Sequence, residues 1–576
     1  MKKFYISILA LSAIITKAQS FEEVSQTSLQ NYFYSASAVA DFDNDGFQDI
    51  FFTGAIDSDG DTNVDVTSND FYKNTNGNFS SIQNFGDNSV HLSAVKFIDF
   101  DNDGLLDVVT TGLSYNDIVN YQQYRWKNTG SAFTLIDNAP GKIYGGLDVF
   151  DFNHDGKQDY AINGTQYIEG VGFSQDLDLY TNNSNGFQKT EAWLPGTQNG
   201  SFKIVDLNND NELDAVVNGF NADYEGTFNI YINENGTLVQ KSQLPPVSDS
   251  KMAFADFNGD GFLDFVVTGQ DENFDSYLAV FTNDGQGNFT ESKFEGEGLS
   301  AGNVEVGDLN NDGYYDFVVM GDDDNYDGYT NVYLYNPQLQ KFEKSEDSGL
   351  YNLGSGGTLA LFDYDNDGNL DILANGFDWA DPDLMPYTKL FKNTTTVSNQ
   401  KPNAPTILTA TENNNKINFS WSGASDDKTL ENSLQYELTV GSESGKADIA
   451  KYIVTTKSWY LDKANLPSKI FWSVKAIDAS KKYSDKSQEN EFSVLAVSDS
   501  KNEAVSTYPN PVKDILNVKT ASKIKTHKVY NLSGQVVNAK LISDKTIDFS
   551  RLEKGIYVVE IQLENGKKLT QKIIKN

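Results

Sequence analysis

Asp41-Phe42-Asp43-Asn44-Asp45-Gly46-Phe47-Gln48-Asp49 is the stretch that decides the fold. Carboxylates stand at its first, third, fifth and ninth positions, with a glycine at the sixth. Oxygens at alternate positions, then a sharp turn and a further carboxylate, wrap around a hard cation. The pattern D-x-[DN]-x-D-[GN]-x-x-D returns at Asp99, Asp151, Asp206, Asp256, Asp308 and Asp363, in steps of 58, 52, 55, 50, 52 and 55 residues. One such turn is an ordinary Asp/Asn/Gly loop. Seven in register make a repeat, and the period prescribes the architecture.

Each loop is flanked by strand patterns. Before it comes an alternating segment such as Ala94-Val95-Lys96-Phe97-Ile98, and after it a nearly continuous apolar run such as Phe265-Val266-Val267. The first pattern suits an inner strand and the second a strand buried on both faces. A glycine follows at a fixed place (Gly54 in the first repeat, Gly376 in the last), then a polar loop. A third strand ends in aromatic-x-Asn, as in Tyr72-Lys73-Asn74, and a fourth opens at Phe79, Phe133, Phe187, Leu238, Phe289 or Phe342. Four strands per repeat is a propeller blade, so residues 19–396 are expected to form a seven-bladed β-propeller. The seventh repeat reaches Phe391-Lys392-Asn393 and lacks a fourth strand, while Phe21 precedes Asp41 at the spacing of a fourth-strand opener. Residues 20–25 are therefore expected to complete the last blade and remove an exposed edge.

The loops carry the chemistry. Side-chain oxygens of Asp99, Asp101, Asp103 and Asp107, with the main-chain carbonyl of Leu105, are expected to face one centre. The equivalent sets are Asp41, Asp43, Asp45, Phe47, Asp49; Asp151, Asn153, Asp155, Lys157, Asp159; and Asp206, Asn208, Asp210, Glu212, Asp214. The last three are Asp256, Asn258, Asp260, Phe262, Asp264; Asp308, Asn310, Asp312, Tyr314, Asp316; and Asp363, Asp365, Asp367, Asn369, Asp371. Phe47, Lys157, Glu212, Phe262, Tyr314 and Asn369 contribute carbonyls, as Leu105 does. An all-oxygen set of this number and flexibility favours Ca²⁺ over Mg²⁺, giving up to seven structural ions. In the fourth loop Asn211 replaces the turn glycine, which tolerates the same positive φ.

Composition supports an exported protein. Lys2-Lys3, an apolar run to Ile15 and Thr16-Lys17-Ala18 read as a signal peptide, residues 1–18. The chain has no cysteine, so bound metal is the available cross-link. Net charge is −38, yet residues 501–576 carry 14 basic and 7 acidic side chains. The strongly acidic remainder repels nucleic acid and anionic lipid. No further apolar stretch is long enough to span a membrane, and a monomer is expected.

Residues 21–393 resemble the FG-GAP/VCBS repeats of integrin α-subunit propellers and related bacterial proteins and lectins, a resemblance carried by the seven loops. It implies Ca²⁺ at the loop positions named above, on the face opposite the ligand-binding face. After a linker at 397–403, residues 404–496 read as short strands, and Leu466-Pro467-Ser468-Lys469-Ile470-Phe471-Trp472 is similar to a fibronectin type III domain, with Ile470 where that family has a tyrosine. Residues 505–576, with Tyr508-Pro509-Asn510-Pro511, Val529-Tyr530-Asn531-Leu532-Ser533-Gly534 and Leu552-Glu553-Lys554-Gly555-Ile556-Tyr557, resemble the C-terminal type A sorting domain of the Bacteroidetes type IX secretion system, a small β-sandwich. That resemblance implies export by this machinery, followed by release or attachment at the cell surface.

The expected fold is all-β: propeller, fibronectin-like sandwich, small C-terminal sandwich. The expected role is a secreted or surface-displayed, calcium-binding adhesion module for a glycan or protein ligand. A propeller-based polysaccharide lyase or hydrolase, and a passive surface scaffold, are the alternatives. No catalytic constellation stands out: His91, His154 and His527 are the only histidines, and His154 lies inside a loop. On the face opposite the loops, Asp223-Tyr224-Glu225-Gly226, Asn273-Phe274-Asp275-Ser276 and Asn325-Tyr326-Asp327-Gly328 each place an aromatic five residues after the fixed glycine, with Tyr115, Tyr167 and Trp379 in other repeats. These suit sugar stacking or, alternatively, packing between blades.

Overall fold

Strand alternation and the repeat period translate directly into sheets. The computed structural model describes residues 19–576 apart from 26, 58–65, 117, 382–384, 495–505, 521 and 565–567. The expected signal peptide lies outside the described residues. The chain divides into two compact units at Val494–Leu495.

The first unit opens with seven antiparallel sheets. In the first of them Phe33–Ala40, Asp49–Ile56, Val66–Thr75 and Asn78–Asn84 lie side by side in chain order. The third sheet departs from the four-strand expectation. Its second-to-third connection folds back as Thr165–Ile168, which pairs with the start of Gly172–Asn183 as a fifth strand. Successive sheets sit beside one another, and the inner strand of the seventh, Thr358–Phe362, lies against that of the first, Phe33–Ala40. The series is a closed ring.

Closure uses the chain's own start. Phe21–Glu23 pairs antiparallel with Pro386–Asn393, Phe21 opposite Asn393 and Glu23 opposite Phe391. Phe21 is buried among Leu361, Ile372 and Phe391. The outermost strand of the last sheet thus comes from the beginning of the repeat region, and that sheet keeps a full complement of four.

The second strands are apolar throughout because both their faces are covered. Ile50 and Phe52 pack with Phe362, Tyr364 and Leu373 of the seventh sheet, while Phe51 packs with Val95 and Trp126 of the second. Alternate side chains of one strand serve two interfaces.

Residues after the ring form a two-sheet sandwich. One sheet joins Ile407–Asn413, Lys416–Ser422 and Ser458–Asp462; the other joins Ala450–Val454, Gln435–Gly441, Lys469–Ile477 and Asn490–Ser493. Its core of Phe419, Trp421, Tyr436 and Trp472 is continuous with Phe150 and Leu213 of the ring, with Phe152 and Trp193 packed against them. The second unit holds two four-stranded sheets around Val512, Leu516, Phe549, Val559 and Ile573.

Candidate metal centres

Every acidic loop joins the first and second strands of its sheet, and all seven share one hydrogen-bond scaffold. The first aspartate accepts the main-chain N–H of the fifth residue through Oδ1, at 3.0–3.2 Å. Its Oδ2 accepts the N–H of the sixth, at 2.7–2.9 Å. The ninth-position carboxylate reaches back to the N–H of the second residue at 2.9–3.2 Å. It also accepts from the third strand at 2.7–2.9 Å. The seventh residues, Phe47, Leu105, Lys157, Glu212, Phe262, Tyr314 and Asn369, donate their N–H to the fifth-position aspartate. The loops are therefore shaped by their own backbone.

Packing three or four carboxylates into one turn is electrostatically costly. Burial, reinforced by the neighbouring loop carboxylates, pushes the ninth-position acids up: Asp107 to about 6, Asp49, Asp159, Asp214 and Asp264 to about 7, and Asp371 to about 8. Asp206 and Asp308 rise to about 7, and Asp151 and Asp316 lie well above the carboxylate range, from burial first. A bound cation relieves this. Carboxylate oxygens of Asp41, Asp43 and Asp45 lie within 4.8 Å of one another, as do those of Asp99, Asp101 and Asp107, and of Asp363, Asp365 and Asp371. Asp43 Oδ1 is buried without a hydrogen-bond partner. This donor set, oxygen-only and over-charged, suits a hard divalent ion.

Two features escaped the sequence reading. The fourth loop position is left-handed in every repeat: Asn44, Asn102, His154, Asn209, Gly259, Asn311 and Asn366 have φ of 55–79°. The enrichment in Asn and Gly at that position was the available signal. These side chains then tie loop to loop. Asn102 donates to Gly156 O at 3.1 Å, Asn209 to Gly261 O at 2.8 Å, and Asn311 to Asn369 Oδ1 at 2.7 Å. A second tie comes from the third-strand asparagine. Asn128 donates to Phe42 O, Asn182 to Phe100 O, Asn283 to Leu207 O and Asn393 to Leu309 O, each in the preceding sheet. In the sixth repeat Tyr335 takes this place and packs on Tyr314 and Phe342 instead.

The sandwich sits directly on these loops. Ser433 Oγ donates to Asp256 Oδ2 at 2.8 Å, Ser480 Oγ donates to Asp308 Oδ2 at 3.4 Å, and Asp462 N donates to His154 O at 2.8 Å. His154 is stacked on Tyr460 with ring centres 3.8 Å apart, and burial lowers its pKa to about 4. Asn211 has φ of 66°, keeps the turn, and accepts hydrogen bonds from Thr456 and Ser458. Its departure from glycine is thus used for docking. A Cβ at Gly156 would meet Ile449 O at 2.5 Å, and one at Gly313 would meet Lys428 O at 2.2 Å. The loops at Asp151, Asp206, Asp256 and Asp308 lie under the sandwich. Among the described residues the sandwich touches the loop at Asp99 through Asn102 and lies near the loop at Asp363 beside Gly368, and a Cβ at Gly46 of the first loop would meet nothing within 4 Å.

At the opposite end of the strands, three consecutive sheets carry one identical turn. Asn221 Oδ1 accepts from the N–H of Asp223 and Glu225; Asp271 does the same for Asn273 and Asp275, and Asp323 for Asn325 and Asp327. Each turn holds its aromatic, Tyr224, Phe274 or Tyr326, in the left-handed region, with φ of 59°, 65° and 64°. These rings are 64%, 65% and 76% exposed, and Phe274 touches Phe220 of the neighbouring sheet with ring centres 6.3 Å apart. Adjacent turns interlock through Ser276 N donating to Asp324 Oδ1 at 2.6 Å. Trp379 differs: it stacks on Phe377 and donates to Asp322. Tyr167 is exposed, in edge contact with Phe173, and the side chain of Tyr115 lies outside the described residues. His91 is buried, and His527 bonds Ala539 O at 2.7 Å.

Comparison with known proteins places these features. The chain matches the FG-GAP-like repeat family over residues 41–110, 99–162, 206–267, 256–319 and 308–374, and the secretion system C-terminal sorting domain over 506–576. Beta-agarase D of Zobellia galactanivorans is 40% identical over 72 residues, a stretch spanning 12% of this chain and only 15% of that protein. Among solved structures, the BP39L lectin from Burkholderia pseudomallei is similar at 11% identity and a TM-score of 0.42, over 62% of this chain and 96% of the lectin. The Aleuria aurantia lectin is similar at 10% identity and a TM-score of 0.33, over 57% and 98%.

Proposed function

This chain belongs to the FG-GAP-like repeat family and carries a type IX sorting domain that takes it to the cell surface or beyond; from that premise we propose that it is a calcium-stapled binding protein that grips neutral glycans through the aromatic turns of its fourth to sixth sheets. The carrying observation is the conformation of those turns. A non-glycine residue at positive φ costs about 1–2 kcal/mol, and a largely exposed aromatic returns little of it by burial. Three successive sheets bear that cost at Tyr224, Phe274 and Tyr326, whereas folding alone favours glycine there.

The ligand class follows from the surroundings. Exposed rings stack on the apolar faces of sugars. Glu225, Asp275 and Asp327, each next to its aromatic, supply hydrogen-bond acceptors and repel anionic polymers. A repeated site suits a repeating chain, since linked weak contacts multiply.

Calcium's role is structural in this reading. The side chains at the first, third, fifth and ninth loop positions would hold the ions on the face away from the aromatics, fixing the loops that the sandwich and neighbouring sheets contact. Binding of the full-length protein to an array of neutral and anionic glycans, with and without calcium, tests the proposal. The comparison is with a Tyr224→Gly/Phe274→Gly/Tyr326→Gly variant, which relieves the backbone and should fold at least as well. Loss of neutral-glycan binding in that variant supports the reading. Unchanged binding, or a preference for sulfated or uronate polymers, defeats it.

A further inference from the structure

The seven loops fall into two groups, and the division extends to a residue outside them. Three loops have aspartate at the third position: Asp43, Asp101 and Asp365. In those sheets alone, the residue before the third-strand asparagine is a lysine: Lys73, Lys127 and Lys392. The other four loops have Asn153, Asn208, Asn258 and Asn310, faced by Thr181, Ile232, Thr282 and Leu334.

The structure gives this pairing a physical content. Lys127 Nζ lies 2.6 Å from Asp101 Oδ1, 2.8 Å from Asp103 Oδ2 and 3.4 Å from Asp107 Oδ1. Lys73 bonds Asp43 and reaches Asp45 Oδ2 at 3.0 Å; Lys392 bonds Asp365 and reaches Asp367 Oδ2 at 2.9 Å. In the asparagine loops a neutral amide does the same to the same oxygen. Asn208 Nδ2 donates to Asp210 Oδ2 at 3.1 Å, Asn258 to Asp260 Oδ2 at 2.9 Å and Asn310 to Asp312 Oδ2 at 3.2 Å. Four carboxylates with one ammonium, or three carboxylates with an amide, both leave a formal charge of −3 on the ligand set.

We propose that the third loop residue and the residue facing it from the third strand form one charge-setting pair, which gives all seven loops similar cation affinity by two routes. Lysine is used where a displaced ammonium has water to enter. Lys73, Lys127 and Lys392 keep side-chain exposures of 28%, 24% and 36%, in the three sheets whose loops the sandwich leaves open. In the four loops under the sandwich the charge is removed by amidation of the ligand instead. In the open loops the cation therefore replaces a resident ammonium.

The inference rests on reading the loops as cation sites, and its test separates the two. Calcium binding to the full chain is measured by titration calorimetry at low salt after chelation. Three triple variants are compared with the natural sequence: Lys73→Thr/Lys127→Thr/Lys392→Thr, Asp43→Asn/Asp101→Asn/Asp365→Asn, and the sixfold combination. One charge gained or lost a few ångströms from a divalent ion changes affinity about tenfold. The lysine variant should therefore tighten three sites about tenfold and the aspartate variant weaken three about tenfold. The sixfold variant, which reproduces the asparagine loops, should return to within about threefold of the natural chain. Thermal melting in chelator is the fold control, and there the lysine variant should melt lower, having lost its internal counter-charge. A sixfold variant that stays about tenfold or more away from the natural chain, or lysine removal without tightening, overturns the pairing. A chain that takes up no calcium at all overturns the cation-site reading beneath it.

Discussion

The side-chain amide of Asn366 donates to the main-chain oxygen of Gly46 at 2.9 Å, joining the seventh acidic loop to the first across 320 residues of chain. The same bond type links the second loop to the third and the fourth to the fifth. Loop geometry and ring closure are thus one structure. Asn366→Gly keeps the left-handed backbone and removes the bond, so it should cost about 1 kcal/mol. Asn366→Ala should cost about 1 kcal/mol more, because its φ of 58° is strained for alanine. Urea denaturation of the two variants measures both, and equal losses would refute the backbone argument.

Phe21 closes the ring by chain pairing and by burial. It is 3% exposed, within a core shared with Leu361 and Phe391. Phe21→Ala should destabilise the first unit by about 3–5 kcal/mol, as for other buried phenylalanines. Calorimetry should show that loss in the main transition.

Asn211 couples the fourth loop to the sandwich. Asn211→Gly preserves the turn and removes the acceptor for Thr456 and Ser458, two hydroxyl bonds of 3.2 and 3.1 Å. A loss of about 1–2 kcal/mol is expected. Hydrogen exchange should quicken at residues 456–460, and exchange confined to the loop would argue that docking does not depend on this contact.

Calcium removal should lower the melting temperature strongly. Extracellular sites bind with dissociation constants of roughly 0.1–1 mM, so at ~1 mM calcium each contributes about 0.4–1.4 kcal/mol, and seven roughly 3–10 kcal/mol. Differential scanning calorimetry with excess chelator should shift the transition down by at least ~5 °C. An unmoved transition would falsify the stapling role.

The pH response should change sign with the metal. Asp49, Asp159 and Asp264 titrate at about 7 in the fold without metal, above the ordinary carboxylate value of 3.8. Between those values the folded state binds more protons than the unfolded state. Stability of the chelated protein is therefore fully present below the ordinary carboxylate value of 3.8 and declines as pH rises from there to the folded values of about 6–8. With calcium, the ion takes the protons' place, and stabilisation by calcium should grow over the same interval. Melting curves at pH 5 and pH 8, each with and without chelator, give the four values needed.

The loop at Asp41 and its six echoes contain their own architecture. A nine-residue hairpin turn is local, so its carboxylate positions, its flanking strands and the left-handed sixth residue can be read from neighbours in the chain. The spacing of Phe21 before Asp41 carried the closing strand for the same reason: a period continues across the ends of a repeat. The left-handed fourth position is equally local, yet the sequence reading passed over its signal in Asn44, Asn102 and Asn366, and its bridging bonds left no local signal. The aromatic of Asp223-Tyr224-Glu225 was visible, but its exposure was undecided. A ring either packs or projects according to where adjacent sheets fall.

What the linear order of residues determined by itself is the all-β character, the sevenfold acidic loop and the exported destination, because each is written in short periodic or terminal signals. Only the tertiary structure decided that the sandwich lies on four of the loops. It also decided that Asn211 and Ser433 serve that contact, and that Lys73, Lys127 and Lys392 enter the loops left open. Those relations join residues far apart in sequence through the packing of whole sheets, and no local pattern encodes how two apolar faces meet.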